Sequence, residues 1–422
     1  MLLAWLCVAS AGAQTEVTIH EFTNGVDGAY PGGGLVSDGN GNYFGVTTNG
    51  YLGTVFELSS AIGGGWNVTT LYTFQGGQDG NGPVAGLVRD QAGNLYGATQ
   101  TGGNGTSSYC DIGTGQHGCG TIFELSPDGN GGWQKTTLYQ FQGIVGNQVR
   151  DGLFPSGPLV LDSAGNLFGA TINGGAYLAG YGGGTVFELS PNGTGWKETV
   201  LVSFRGGSGG SGGAGPEGGV IFDSAGNLYG TTINGGSNNS YCIPQGCGTV
   251  FKLSPKRGGG WSVTPLHTFV GGDGAFPRSA LAFDSSGNLF GTASGGQNNG
   301  GVVFQLEPGS AGWKETVIHA FRGSDGLLPS GALVVDSNGN LYGATALGGK
   351  VCTAYNSCGE IFEFSPSPTG SWSETVLYRF TGKADGASPV APVTFDSLGN
   401  IFGVAVQGGT FGFGTIFEIT PR

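Results

Sequence analysis

The sequence predicts an all-β fold, a seven-bladed β-propeller of four-stranded antiparallel blades. Three observations support it. Close copies of the stretch Leu161–Thr171, Leu-Asp-Ser-Ala-Gly-Asn-Leu-Phe-Gly-Ala-Thr, occur seven times in 422 residues. The chain contains 91 glycines, a composition that favours short strands and tight turns over helices. Its last repeat also lacks a strand that stands at the beginning of the chain. A repeat of about 50–70 residues is typical of units that bury their hydrophobic faces against one another.

Each repeat contains four candidate strands, as the third repeat illustrates. Its strands are predicted at Pro158–Asp162, Asn166–Thr171, Gly184–Leu189 and Trp196–Phe204. The first two are joined by Asp-Ser-Ala-Gly-Asn, in which the Asp accepts hydrogen bonds from turn N–H groups and the Gly adopts a positive φ. The turn aspartates of all repeats are therefore predicted to be structural: Asp38, Asp90, Asp162, Asp223, Asp284, Asp336 and Asp396.

The two ends of the chain predict how the ring closes. The last repeat stops at Gly414–Ile419, a third strand with no fourth strand after it. Glu16–Phe22 alternates apolar and polar residues and is similar to the fourth strand of the other repeats. Pairing of these two segments would join the first and last units and remove exposed sheet edges. We therefore expect residues 15–422 to form a single domain that is closed by its N-terminal strand.

Residues 1–14 are predicted to be an export signal. They combine an apolar core with Ala11-Gly12-Ala13, the small-residue pattern that signal peptidase requires. The alternative is a buried first strand. No other stretch has the 18 or more apolar residues of a membrane helix, so we expect a secreted protein without a transmembrane segment.

Composition limits the class of partner. The formal net charge is −13, and no basic patch compensates for it. This charge disfavours nucleic acid as a ligand, because nucleic-acid-binding proteins present clustered Lys and Arg to the phosphates. We expect the protein to be a monomer and its partner to be an extracellular glycan or protein.

The repeat also resembles a known family. Its consensus runs Gly-Asn-Leu-Tyr/Phe-Gly-x-Thr, then Gly-Thr-Val/Ile-Phe-Glu-Leu-Ser-Pro, then Gly-Trp, then Thr-Val-Leu-Tyr-x-Phe-x-Gly and Asp-Gly-x-x-Pro. This pattern looks like the GloVer tandem repeat of exported bacterial proteins and covers essentially all of the chain after residue 14. The resemblance implies an extracellular, β-rich repeat protein. It implies no reaction, and a fold alone would not supply one.

Six cysteines form three pairs that are close in sequence. They are Cys110 with Cys119, Cys242 with Cys247, and Cys352 with Cys358, each between the second and third strands of repeats two, four and six. In an exported protein such pairs are predicted to be disulfides that fix long loops. A zinc site is the alternative, but His117 is the only histidine near these loops and non-neighbouring repeats would have to converge. We therefore predict no metal and no cofactor.

Three of the four histidines share one repeat position. His20, His267 and His319 stand where the other repeats place Tyr72, Tyr139, Val202 and Tyr378. A position that accepts His, Tyr and Val is typical of packing on a strand surface. We predict a structural role for these histidines.

A second set of aspartates lies between the fourth strand of one repeat and the first strand of the next. Each precedes a Gly and stands four residues before a Pro, and we call them the rim aspartates: Asp27, Asp79, Asp151, Asp273, Asp325 and Asp385. The fourth repeat breaks the series, since Gly206–Gly215 contains no Asp. One interpretation is a turn cap beside a rigid Pro. The other is an anionic ring that binds a cation or a basic or hydroxylated ligand.

Two functions remain open at this stage, besides a purely structural role. The first is a secreted, non-catalytic binding or surface-interaction module that uses its loops to hold a glycan or protein. The second is an extracellular polysaccharide hydrolase or lyase with two rim carboxylates as acid and base. The sevenfold repeat without an asymmetric polar cluster favours binding over catalysis.

Overall fold

The structure, a computed structural model, describes residues 15–48, 52–105, 108–110, 118–145, 148–149, 151–177, 183–205, 212–236, 241–349 and 358–420. The predicted export signal lies outside these residues. The described residues form seven antiparallel sheets, the blades of a propeller, and the predicted fold is confirmed. Within these ranges no helix is long and apolar enough to cross a membrane.

Each blade runs from a first strand at the centre of the ring to a fourth strand at its edge. In blades 1 to 3 the strands are Pro31–Ser37, Tyr43–Thr47, Thr54–Ser60 and Trp66–Thr73; Asn81–Arg89, Leu95–Thr101, Thr121–Pro127 and Trp133–Gln140; and Gly152–Leu161, Leu167–Gly174, Thr185–Asn192 and Gly195–Ser203. In blades 4 and 5 they are Val220–Phe222, Leu228–Thr232, Thr249–Pro255 and Trp261–Thr268; and Ala282–Phe283, Leu289–Ala293, Val302–Gly309 and Gly312–Ala320.

Blade 6 has a divided first strand. Its strands are Leu327–Pro329 with Val334–Val335, then Leu341–Leu347, Glu360–Pro366 and Trp372–Arg379. In the described part of the chain, the connections contain three short 3-10 helices and one small hairpin: Gly77–Asp79, Ser108–Cys110, Gln297–Asn299, and Ile144–Val145 with Gln148–Val149.

Blade 7 closes the ring. Its first three strands are Thr394–Phe395, Ile401–Ala405 and Thr415–Ile419, and its fourth is the N-terminal strand Glu16–Glu21. The last two pair antiparallel, with Glu16 opposite Ile419 and Glu21 opposite Thr415. The predicted closure by the N-terminal strand is therefore confirmed.

A phenylalanine on the third strand explains the glycine that every repeat places in its second strand. In blade 1, a Cβ atom on Gly45 would lie 2.4 Å from Cζ of Phe56, which is closer than such atoms approach in proteins. The same phenylalanine packs on the phenylalanine that follows the fourth strand of the preceding blade. These ring centroids are 5.1–5.5 Å apart at all seven junctions: Phe22–Phe56, Phe74–Phe123, Phe141–Phe187, Phe204–Phe251, Phe269–Phe304, Phe321–Phe362 and Phe380–Phe417.

A β-bulge in the fourth strand lets one strand serve two junctions. In blade 1, Phe56 pairs with Thr70 but Val55 pairs with Tyr72, so Leu71 is the extra residue. Because side chains alternate along a strand, one inserted residue moves all later side chains to the other face of the sheet. Val68 therefore faces blade 7 and Tyr72 faces blade 2, as their packing clusters show. Every other fourth strand has the same shift.

The first strands surround a central channel of about 470 Å³. Its wall consists mainly of glycine, alanine and serine, for example Gly34, Gly86, Ala280, Ala332 and Ala391. Small residues keep the axis open, because the first strands of seven blades approach one another there.

Candidate functional site

One face of the ring carries both the loops between second and third strands and the connections between blades. We call it the loop face. The turns with the seven turn aspartates lie on the opposite face, and there each Asp accepts hydrogen bonds from the Asn four residues later. In the third repeat Asp162 accepts from the backbone N–H of Asn166 at 2.9 Å and from its side-chain amide at 2.8 Å.

Disulfides fix two of the long loops on the loop face. The bonds Cys110–Cys119 and Cys242–Cys247 are both present, as predicted. Cys358 is also disulfide-bonded, while Cys352, its predicted partner, lies outside the described residues.

Each rim aspartate accepts hydrogen bonds from backbone N–H groups of its own connection. Asp151 accepts from the N–H groups of Gln142 and Gly143 at 2.9 and 2.6 Å. The other five accept from Thr23, Gln75, Val270, Arg322 and Thr381 at 2.7–2.9 Å. This is the geometry of the turn-cap interpretation. A ligand-binding role for the six aspartates stays a prediction.

The rim aspartates also pair with the fourth strand. His20, His267 and His319 bond through Nε2 to Asp27, Asp273 and Asp325 at 3.2, 3.0 and 3.1 Å. Tyr72, Tyr139 and Tyr378 donate their hydroxyls to Asp79, Asp151 and Asp385 at 2.9, 2.7 and 3.0 Å. The histidines thus have the predicted structural packing, since each ring also lies 4.7–4.9 Å from a phenylalanine. Sequence reasoning missed their polar partner.

A comparison of the repeats contains the signal that would have identified this partner. The fourth strand carries His or Tyr wherever the following connection carries a rim aspartate, and it carries Val202 where Gly206–Gly215 replaces the aspartate. Two positions that vary together in this way indicate a contact. By sequence, the repeat positions of the rim aspartate and its partner are therefore both changed between blades 3 and 4.

The next blade contributes a third residue to each junction. In blades 1 to 6 this residue stands two positions after the Trp near the start of the fourth strand. Between blades 1 and 2 this residue is Lys135, whose Nζ lies 2.7 Å from Asp79 Oδ1. Between blades 2 and 3 it is Glu198. Between blades 4 and 5 it is Glu315, and between blades 5 and 6 it is Glu374. The N-terminal strand supplies Glu16 to the junction between blades 6 and 7, while Val68 and Val263 occupy the remaining two junctions.

The surroundings of these glutamates disfavour the ionised form of the carboxyl group relative to the neutral form. Burial, together with the neighbouring Asp151, raises the pKa of Glu198 to about 8. Burial raises the pKa of Glu315 and of Glu374 to about 7, with Asp273 and Asp325 adding to the effect. In contrast, the pKa of Asp273 is lowered, because hydrogen bonds from His267 and Val270 outweigh its burial. The junctions of Glu315 and Glu374 therefore both hold a glutamate carboxyl whose negative charge is disfavoured by burial and by the neighbouring aspartate.

Two junctions bring a histidine, an aspartate and a glutamate together. The groups are His267, Asp273 and Glu315, and His319, Asp325 and Glu374, with potential ligand atoms within 4.8 Å of one another. Among the residues with described positions, these are the sets that could hold a metal ion.

Among the described residues, the most exposed aromatic side chains all lie on the loop face. They are Tyr109, Tyr177, Tyr241 and Phe411, with 37–55% of their surface accessible to solvent. Each belongs to a loop between second and third strands, in blades 2, 3, 4 and 7. Tyr241 also bonds across to the neighbouring blade, where its hydroxyl donates to Asn299 Oδ1 at 2.6 Å. The tryptophans instead pack inside junctions near the opposite face, as Trp66 does on Tyr43 and Phe402.

An ion pair stands at the channel mouth on this face. Arg278 Nη1 lies 2.7 Å from Glu217 Oε2, and both residues line the channel just after the prolines of blades 5 and 4. The pair joins the neighbouring blades 4 and 5.

One solved structure supports the fold, and others are similar to a lesser degree. The chain has a TM-score of 0.52 and 12% identity to an extracellular domain from B. thetaiotaomicron, over 96% of this chain and 40% of that chain. It has a TM-score of 0.46 and 13% identity to a protein from Lactobacillus plantarum, over 83% and 84%. For a gluconolactonase from Xanthomonas campestris the values are 0.39 and 13%, over 71% and 78%. At 12% identity, the likeness to the B. thetaiotaomicron domain shows the fold alone.

No curated protein matches the chain in sequence. A family model does match, in the part of the chain that includes the last two strands of blade 4, all of blades 5 and 6, and the first three strands of blade 7. Residues 240–422 match the Gloeobacter/Verrucomicrobia repeat, which confirms the predicted GloVer resemblance.

Proposed function

We propose that the protein is a secreted, non-catalytic binding module that holds an extracellular glycan or protein on its loop face. The observation that carries the proposal is the placement of Tyr109, Tyr177, Tyr241 and Phe411 on that one face. Tyrosine and phenylalanine offer large, rigid contact surfaces that lose little conformational entropy on binding. Clustered exposed apolar groups on one side of a protein are typical of interaction sites.

The disulfides support two parts of the proposal, a contact surface that is rigid before binding and secretion of the protein. Cys110–Cys119 and Cys242–Cys247 staple loops that carry Tyr109 and Tyr241, so part of the contact surface is held rigid before binding. Disulfides of this kind persist in oxidising compartments, which agrees with export.

Polysaccharide hydrolysis has less support. A hydrolase needs an acid and a carboxylate whose oxygens face the substrate from two sides. The rim aspartates instead use their oxygens for backbone N–H groups and for His or Tyr hydrogen bonds, as with Asp151 and Tyr139. The nearby glutamate oxygens, such as Oε1 of Glu198, are buried within the junction. Six of seven junctions repeat the pairing of a rim aspartate with His or Tyr, whereas a catalytic site normally differs from its neighbours.

A glycan array tests the proposal. Purified residues 15–422 and a variant with Tyr109→Ser, Tyr177→Ser and Phe411→Ser are compared on bacterial and plant polysaccharides. We expect the variant to lose at least about tenfold in affinity, because truncation of central aromatic contacts costs upwards of 1 kcal/mol each. The matched control is Ile62→Ser with Leu398→Ser, which removes exposed apolar side chains from the opposite face and leaves binding unchanged.

The same samples separate the two functions. Release of new reducing ends from any bound polysaccharide would support hydrolysis instead. Equal loss of binding in the loop-face variant and in the control would contradict the proposed surface.

A further inference from the structure

Two of the three junctions with histidine have the donor set of a metal site. In the first, His267 Nε2 and Asp273 Oδ2 are 3.0 Å apart, and Glu315 reaches the same point from the next blade. In the second, His319 Nε2 lies 3.1 Å from Asp325 Oδ2 and 3.8 Å from Glu374 Oε2. The same three residue types therefore meet twice, from the same three repeat positions.

Each set contains a buried oxygen with no hydrogen-bond partner among the described residues. These atoms are Oε1 of Glu315 and Oε1 of Glu374. Buried carboxylate oxygens in native proteins are almost always bonded to a donor, a water or an ion. The junction thus offers carboxylate oxygens that could accept a positively charged group. The surrounding described side chains do not provide that group.

At an equivalent junction the chain supplies that positive group itself. Lys135 occupies the position of Glu315 and Glu374, and its Nζ lies 2.7 Å from Asp79 Oδ1 and 2.6 Å from the carbonyl oxygen of Asp79. Its side chain is only 4% exposed. The ammonium shows that this point in the fold accommodates a desolvated cation against the rim aspartate.

We propose that the junctions between blades 4 and 5 and between blades 5 and 6 each bind one divalent transition-metal ion of the zinc class. His267, Asp273 and Glu315 are the ligands of one ion, and His319, Asp325 and Glu374 are the ligands of the other. The sites are independent of the binding function proposed above. They tie neighbouring blades together, as Lys135 and Asp79 do between blades 1 and 2.

The donor set selects the class of metal. Three protein ligands with one imidazole and two carboxylates, plus an open position, suit zinc, whereas calcium takes six to eight oxygens. Ligands at zinc distances lie roughly 3.3–3.6 Å apart in a tetrahedron. The observed His319 distances of 3.1 and 3.8 Å bracket that range. The outer oxygens of Asp273 and Asp325 remain bonded to backbone N–H groups, which fixes the orientation of the ligand oxygen.

The sites are open to ions from solution. The side chains of His267 and His319 are 18% and 23% exposed, and those of Asp273 and Asp325 are 18% and 24% exposed. An ion can therefore enter without unfolding a blade.

Zinc titration of the chain tests the proposal. Purified protein is stripped with EDTA, exchanged into buffer at pH 7.5, and titrated with ZnCl2 by isothermal calorimetry, with bound metal counted by mass spectrometry. We expect two zinc ions per chain. His267→Tyr and His319→Tyr should each remove one ion, and the double variant should bind none. These variants should fold, because the chain already builds a Tyr–Asp–Glu junction from Tyr139, Asp151 and Glu198.

Two further variants make the result specific. Glu374→Gln should also lower the stoichiometry by one, while Glu198→Gln, at a junction without histidine, should leave two ions bound. The proposal is overturned if the stripped protein binds no zinc at micromolar concentrations. It is equally overturned if the double tyrosine variant still binds two ions.

Discussion

Substitution of Glu198 by Gln should stabilise the protein at neutral pH and have little effect in acid. The Glu198 side chain lies in the junction between blades 2 and 3, next to Asp151, and its Oε1 is buried without a hydrogen-bond partner among the described residues. Burial and Asp151 raise its pKa from 4.5 to about 8. Gln has nearly the same shape and carries no charge at any pH.

The sign and size of the effect follow from proton binding. Between pH 4.5 and 8 the folded chain holds the Glu198 proton and the unfolded chain does not, so the free energy of unfolding falls as pH rises. Each pH unit in this window removes up to about 1.4 kcal/mol. Between pH 5.0 and 7.5 the wild-type protein should therefore lose about 3 kcal/mol that the Gln variant keeps. Below pH 4.5 this difference disappears.

Thermal unfolding measures the prediction. For a cooperative domain of this length, about 3 kcal/mol corresponds to roughly 3 °C in Tm. We expect the Tm of Glu198→Gln minus that of wild type to be larger at pH 7.5 than at pH 5.0 by this amount. An equal difference at both pH values, or a larger one in acid, would refute the assignment of a protonated Glu198.

Three further outcomes follow from the ring. Deletion of residues 15–22 removes the fourth strand of blade 7, exposes the edge of Thr415–Ile419 and should sharply lower Tm; an unchanged Tm would argue against closure by this strand. Lys135→Met leaves Asp79 without its buried cation and should cost about 3 kcal/mol in urea unfolding, more than a substitution at exposed Lys314. Non-reducing peptide mapping should find Cys110–Cys119 and Cys242–Cys247, and loss of either bond should cost about 2 kcal/mol by loop entropy; bonds that cross between blades would contradict the described pairing.

The architecture could be predicted because it depends on sequence patterns that are local. Each blade is a run of neighbouring strands, so its turn aspartates, glycines and alternating residues lie within one repeat. The offset between Glu16–Phe22 and Gly414–Ile419 then distinguished a ring from an open array. These signals need no knowledge of which residues from different repeats meet.

The junctions could not be predicted in the same way. Asp79 and Lys135 are separated by 56 positions and come from two blades. The bulge at Leu71 determines that Tyr72 faces one neighbour while Val68 faces the other, and no turn residue marks it in the sequence. The joint change of His or Tyr with the rim aspartate was visible, but its meaning depended on this reversal.

The seven phenylalanine contacts have a consequence for how such a chain can change its number of repeats. Because the same two rings meet at every junction, at 5.1–5.5 Å, a duplicated blade would find a matching apolar neighbour at any place in the ring. The polar position beside them differs from blade to blade. A copy of the blade with Lys135 inserted beside Val202 would bury an ammonium without its aspartate. The phenylalanine packing thus makes the blades interchangeable. The residue at the position of Lys135, in contrast, is compatible only with particular neighbouring blades and so favours the existing order of blades.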